Sequence, residues 1–111
     1  MEENIKIYLM NSPVLTSYGE FSFQRITLEE AKKELQDGFV SAIGHEATSK
    51  LLTQLLGLEV KMNRIQVTMA TGDVAIVFRL KTRLAEGQVL TLEEIAKLDY
   101  EFGVIRCLKT F

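Results

Sequence analysis

A chain of 111 residues, 47% hydrophobic and 25% charged, fits one globular domain with a single core. Thirteen Lys and Arg against fifteen Asp and Glu leave a net charge of −2, so the field of the whole molecule draws in no polyanion and any anion site must be a local cluster. With one Cys, Cys107, and one His, His45, the chain has neither a disulfide framework nor Cys/His spacing for a zinc module, and no metal or cofactor is expected.

No secretory leader is legible at Met-Glu-Glu-Asn, and no apolar stretch approaches the roughly 20 residues that span a bilayer. A single domain over 1–111, in the cytoplasm and away from membranes, is the expectation.

Ile5, Ile7 and Leu9 alternate with Lys6, Tyr8 and Met10, a half-buried strand that ends at Asn11-Ser12-Pro13. Phe21, Phe23 and Ile26 suggest a shorter strand, and Tyr18-Gly19 before it reads as loop, placed where a lid can form. Thr27-Leu28-Glu29-Glu30 then opens a helix, with Thr27 as cap and Glu30 reaching back to its backbone; the helix runs to about Gln36, and Gly38 stops it. Phe39 to Ile43 reads as a strand, Gly44-His45 as a turn, and Leu51, Leu52, Leu55 and Leu56 as the apolar stripe of a helix ending at Gly57.

Arg64 to Met69 and Val74 to about Thr82 both alternate around Ala70-Thr71-Gly72-Asp73, which predicts a hairpin. Thr91-Leu92-Glu93-Glu94 repeats the capping box and opens a helix through Leu98, and Glu101 to Leu108 forms a last strand. Helices alternating with strands give an α/β (α+β) class: a mixed sheet flanked by helices.

The hairpin register places Ile65, Val67 and Met69 opposite Phe78, Ile76 and Val74 on one apolar face, and Arg64 opposite Arg79 on the other. Lys81 and Arg83 fall on the same side as Arg79. Like charges directly opposite repel unless an anion lies between them, and Glu86 is a candidate for that charge. Such a cluster is usually a solvated strand face; arginine favours the alternative of a phosphate or carboxylate site, because its planar fork suits bidentate contact.

Gly44-His45-Glu46-Ala47-Thr48 opens a helix directly after a strand, and the free N–H groups and positive dipole end of such a start stabilise a phosphate. His45 there is either a structural hydrogen-bonder or an acid that protonates a leaving oxygen near neutral pH. Glu86, three residues after Arg83, is either an exposed partner of that arginine or a group that orients a nucleophile or shares a proton with His45. Ser12, Ser17, Ser41 and Ser49 lie in no nucleophile elbow, and Cys107 has no histidine signature near it.

Ile43-Gly44-His45-Glu46-Ala47-Thr48, then Asn63-Arg64, then Arg83-Leu84-Ala85-Glu86-Gly87 with Leu90 resemble the ring nucleases of archaeal viruses, phages and mobile elements, which destroy cyclic tetra-adenylate, the second messenger of type III CRISPR immunity. The resemblance runs from Tyr8-Leu9-Met10-Asn11 through the last helix, and the Asn11-Ser12-Pro13 start is shared with cellular and integrative-element relatives, so a bacterial member is one possibility.

It implies a mixed sheet flanked by helices, a homodimer holding one cyclic tetranucleotide across its two-fold axis, and metal-independent cleavage to linear di-adenylate ending in 2′,3′-cyclic phosphate. Carried over by residue, His45 matches the general acid, Glu86 the catalytic glutamate, Arg83 the arginine near the scissile phosphate, Arg64 one that holds the ligand, and Asn11 an asparagine near it. Ser12, Gly44, Thr48 and Arg79 complete the expected ligand-binding set. Two positions depart from the viral pattern: Ala47 stands in place of serine, and Arg79 in place of glutamine.

Two other readings use the same residues. One is a dimer that holds a cyclic oligonucleotide without cutting it. The other is a nucleic-acid-binding regulator of a mobile element, against which the net charge of −2 and the lack of a long basic stripe weigh. No long nucleic acid is expected as a partner.

Overall fold

The computed structural model describes residues 6–11, 18–81, 91, 93–94 and 97–110, and among them five strands and two helices are delimited. In chain order they are β1 (Ile7–Met10), β2 (Gly19–Ile26), α1 (Leu28–Leu35), β3 (Val40–Ser41), α2 (Glu46–Leu56), β4 (Val74–Leu80) and β5 (Tyr100–Thr110). One sheet holds all the strands in the order β2-β5-β4-β1-β3. β1 pairs in parallel with β3 and β4, and β5 pairs antiparallel with β4 and β2, so the sheet is mixed as expected.

Both predicted capping boxes form. The Glu30 N–H donates to Thr27 Oγ1 at 3.1 Å while the Thr27 N–H donates to Glu30 Oε1 at 3.0 Å. Thr91 and Glu94 exchange the same pair at 3.2 and 3.0 Å. Helical geometry at Glu93 and Glu94 does not reach Leu98, where the chain has already turned toward β5. Gly38 (φ 115°) and Gly57 (φ 69°) end their helices in the left-handed region that glycine enters without a Cβ clash.

Alternation puts opposite sets of side chains on the two sheet faces. Leu9, Val74, Ile76, Phe78, Phe102 and Val104 meet Ala31 and Leu35 of α1 and Leu51, Leu52 and Leu56 of α2 in the main core. The other face buries Tyr8, Met10, Ala75, Val77, Ile105 and Cys107.

Val67 and Met69 pack on this second face, and their segment is the clearest departure from expectation. Residues 63–70 form no strand and no hairpin with β4. The reason is occupancy: β1 takes one edge of β4 and β5 takes the other, leaving no ladder for a third neighbour. The alternation is real, but it serves an extended segment that lays Val67 and Met69 over the sheet, while Ile65, expected opposite Phe78, stays 44% exposed. Arg64 therefore does not face Arg79.

Three further boundaries move. β3 is only Val40–Ser41, with Ile43 continuing as a single parallel bridge to Met62; β2 is longer than expected and begins at Gly19 itself; and β5 extends to Thr110.

The Ala70 to Asp73 turn persists with a different job. Asp73, 4% exposed, accepts from the Lys6 N–H through Oδ1 (3.1 Å) and from the Ala70 N–H through Oδ2 (2.9 Å), so one carboxylate ties the turn to the start of β1. Asp73→Ala leaves those donors without this acceptor and is expected to cost about 2–3 kcal/mol, read as a lower denaturant midpoint at unchanged slope. An unchanged midpoint would mean that water replaces the carboxylate without loss. Beneath the turn, burial pushes the Cys107 thiol above its ordinary value and the Asp73 carboxylate adds to the shift, which disfavours the thiolate a nucleophile requires.

Candidate functional site

The parallel strands β3, β1 and β4 deliver their carboxyl ends to one edge of the sheet. The chain passes from β3 through α2 to β4 on the far side of β1. Asn11 follows β1 at this edge, exposed; Gly44 and His45 follow β3; Lys81 follows β4.

His45 is the N-cap residue of α2, with extended backbone (φ −131°, ψ 124°) and its carbonyl accepting from the Ser49 N–H at 3.1 Å. Its imidazole makes no capping hydrogen bond, so the first-turn N–H groups receive no cap from it. Its Nδ1 is buried and has no hydrogen-bond partner among the described residues. The start of α2 beside it favours negative charge. Ala47, Thr48 and Ser49 are buried in the first turn, and Ser49 Oγ donates to the Glu46 carbonyl at 2.8 Å. Thr48, expected to touch ligand, is only 8% exposed.

Arg64 reaches the same place by a route unlike the predicted hairpin. Asn63 Nδ2 donates to the Ser41 carbonyl (2.6 Å), the Asn63 N–H donates to the Ile43 carbonyl (2.7 Å), and Ser41 Oγ donates to the Lys61 carbonyl (2.6 Å). These bonds clip residues 61–63 along β3. The next residue, Arg64, then donates from Nη2 (2.9 Å) and Nε (3.3 Å) to the Gly44 carbonyl. Its stem lies on Gly44, where an added Cβ would meet Arg64 Cγ and Nε at 3.4 Å. A guanidinium and an imidazole thus flank one helix N-terminus, the elements of an anion site with a proton donor.

Arg79 stands apart from this group. It is registered with Glu101 across the β4–β5 ladder and pairs with it at 3.4 Å, and Arg25 meets the other oxygen of the same carboxylate at 3.7 Å. The anion assigned in sequence to Glu86 is therefore Glu101 as far as Arg79 is concerned. The predicted juxtaposition of Arg64 with Arg79 does not form: Arg64 binds the Gly44 carbonyl and Arg79 binds Glu101. Ser12, Arg83 and Glu86 lie outside the described residues.

Sequence reasoning gave no role to Glu101, and quoted Asn63 only as part of the Asn63-Arg64 motif. Asn63 carried a usable signal, an amide directly before an arginine in a short loop; Glu101 carried none, since its partners come from β2 and β4.

Residues 7–102 match the model of the STIV B116-like family. The chain belongs to this family. It is 41% identical over 110 residues to the ORF117 protein of Acidianus two-tailed virus, covering 93% of this chain and 94% of that protein. Another family relative in sequence is YddF of Bacillus subtilis, 37% identical over 104 residues with 91% of this chain and 96% of that protein covered. Among solved structures, B116 of Sulfolobus turreted icosahedral virus superposes with a TM-score of 0.78 at 27% identity, covering 91% of this chain and 98% of that one. Relatives in viruses and in a bacterium agree with the source range implied by the resemblance in sequence. Among the described residues no helix is long and apolar enough to cross a membrane.

Proposed function

We propose that this STIV B116-like protein is a ring nuclease: a homodimer that binds cyclic tetra-adenylate and opens it to linear di-adenylate with 2′,3′-cyclic phosphate ends, switching off type III CRISPR signalling. The observation that carries the reading is the His45 imidazole at the start of α2, spared from capping, with Nδ1 unpartnered among the described residues and Arg64 locked to the neighbouring Gly44 carbonyl. The resemblance of the flanking motifs to ring nucleases supplies the substrate.

In this reading the ribose 2′-hydroxyl loses its proton to solvent and attacks the neighbouring 3′-phosphorus, forming the cyclic phosphate as the bond to the 5′-oxygen breaks. His45 gives its proton to the departing oxygen. Arg83 offsets the charge gathered on the phosphorane, and Glu86 positions the 2′-hydroxyl or keeps His45 protonated. Arg64, Gly44 and the N–H groups at the start of α2 hold a phosphate, and Asn11 approaches the ligand from β1. Two-fold symmetry explains how one histidine per chain suffices, since a ring of identical nucleotides offers equivalent phosphates to equivalent sites.

The test is incubation of the purified protein with cyclic tetra-adenylate in EDTA, with products separated by chromatography. Conversion to di-adenylate cyclic phosphate is the expected result. An intact ring that co-migrates with the protein would replace the reading with capture without cleavage, and a ring neither bound nor cut would end it. Arg64→Ala should weaken ring binding about tenfold or more, measured by direct titration, because a charge-assisted contact to phosphate is lost. Unchanged affinity would confine Arg64 to holding the Gly44 turn.

A further inference from the structure

A parallel bridge pairs Ile43 with Met62, so Gly44-His45 and Asn63-Arg64 run on from it side by side. The Ala42 N–H faces β1, donating to the Leu9 carbonyl at 2.8 Å, which turns the Ser41 and Ile43 carbonyls on either side of it away from β1. Asn63 takes both: its N–H donates to Ile43 at 2.7 Å and its Nδ2 to Ser41 at 2.6 Å. We infer that Asn63 is a positioning residue for ring cleavage, its side-chain amide holding Arg64 in the pose that presents a phosphate to His45. The inference rests on the ring-nuclease reading for its substrate and adds to it a residue that touches no reacting atom.

Arg64 itself is exposed, and its guanidinium hydrogen-bonds, among the described residues, only to the Gly44 carbonyl, at 2.9 Å from Nη2 and 3.3 Å from Nε. That carbonyl fixes the far end of the side chain. The near end is fixed by the direction in which the backbone leaves Asn63, because the Arg64 stem must start over Gly44, where an added Cβ would meet its Cγ and Nε at 3.4 Å. One backbone hydrogen bond leaves the chain free to pivot at Asn63; the second bond, from the side chain, removes that freedom. With both ends set, the two Nη1 protons and the second Nη2 proton form the open fork that suits two phosphate oxygens. An arginine without such support spends rotamer freedom on binding and presents its fork only part of the time.

The loop before Asn63 does not need the amide to stay in place. Thr53 Oγ1 accepts from the Val60 N–H at 2.9 Å, and Ser41 Oγ donates to the Lys61 carbonyl at 2.6 Å, so residues 60 and 61 are tied to α2 and β3 independently. Loss of the Asn63 amide therefore frees Arg64 rather than the loop. Displacing a held phosphate by about 1 Å from its acid can cost as much as 10²-fold in rate, so a residue two bonds removed from the ring can govern both binding and cleavage.

The experiment is a double-mutant cycle of Asn63→Ala and Arg64→Ala, read by titration with cyclic tetra-adenylate and by single-turnover cleavage at saturating ring. Asn63→Ala alone should weaken binding and slow saturated cleavage by about tenfold each, while in the Arg64→Ala background it should change either by less than about twofold. Without ring, the Arg64 Nε–H resonance of isotope-labelled protein should move toward that of a free arginine in Asn63→Ala, within an otherwise preserved amide spectrum. Thr53→Ala, which loosens the same loop elsewhere, should leave that resonance in place and binding within about threefold of wild type. Additive effects overturn the proposal, as does an Arg64 resonance unmoved in Asn63→Ala, which would mean that the Gly44 carbonyl alone holds the guanidinium. A collapsed amide spectrum in Asn63→Ala also overturns it, making the amide a bond of the fold. A wild-type protein that neither binds nor cuts the ring fails at the first step and ends the ring-nuclease reading together with this one; failure of the cycle in a cleaving wild type ends this one alone.

Discussion

Replacing His45 with alanine should reduce single-turnover cleavage of cyclic tetra-adenylate by about 10²- to 10⁴-fold, while the dissociation constant for the ring changes by less than about threefold. The split follows from what the side chain does in the fold. His45 contributes its backbone to the start of α2, since its carbonyl accepts the Ser49 N–H, and alanine supplies that carbonyl equally well. The imidazole makes no capping bond that alanine would remove, and its Nδ1 has no partner among the described residues that would be left unsatisfied. Loss of the ring should therefore leave the helix, the Gly44 turn and the Arg64 clamp in place, removing only a proton donor. His45→Asn, which keeps a polar side chain of similar reach, should be as inactive as alanine. Wild-type turnover in either variant would end the general-acid assignment, and a parallel collapse of binding would recast His45 as a residue that holds ligand.

The parts of the fold legible in sequence are those specified by contacts within a few residues. Thr27 and Glu30, or Thr91 and Glu94, close their rings of hydrogen bonds without help from the rest of the chain, and Gly38 and Gly57 end helices because no other residue enters that backbone region as easily. Alternation over 64–69 reported burial on one side and nothing about a partner. Whether such a segment joins a ladder depends on which edges are free, and β4 had none left once β1 and β5, distant in sequence, had taken them.

The candidate site divides in the same way. Gly44 and His45 were readable as a strand-to-helix turn. Arg64 belonged with them, but through the Gly44 carbonyl and the clip made by Asn63 and Ser41 rather than through a hairpin. Arg79, grouped with Arg64 by register, went instead to Glu101, whose position opposite it exists only in the folded sheet.

Phe78→Ala should destabilise the domain by about 3–5 kcal/mol, a large share of the 5–15 kcal/mol typical of a domain this size. Phe78 is 1% exposed, and its ring centroid lies 5.3 Å from that of Phe102 and 5.8 Å from that of Tyr100, which are themselves 5.8 Å apart near edge-on. Alanine opens a void between this face of the sheet and the helices packed on it, which the β4–β5 ladder is too rigid to close, so both the transfer and the cavity penalties apply. Phe78→Leu keeps most of the volume and should cost far less, about 1–2 kcal/mol. The consequence for the site is positional. Phe78 precedes Arg79 and anchors the end of β4 from which the chain leaves toward Lys81, so the alanine variant should lose ligand binding at a temperature where the leucine variant still binds. Equilibrium unfolding of both, with ring binding measured below each midpoint, checks this. An alanine variant that unfolds at the wild-type midpoint would mean that the ladder alone holds this end of the sheet and that the aromatic cluster adds nothing to it.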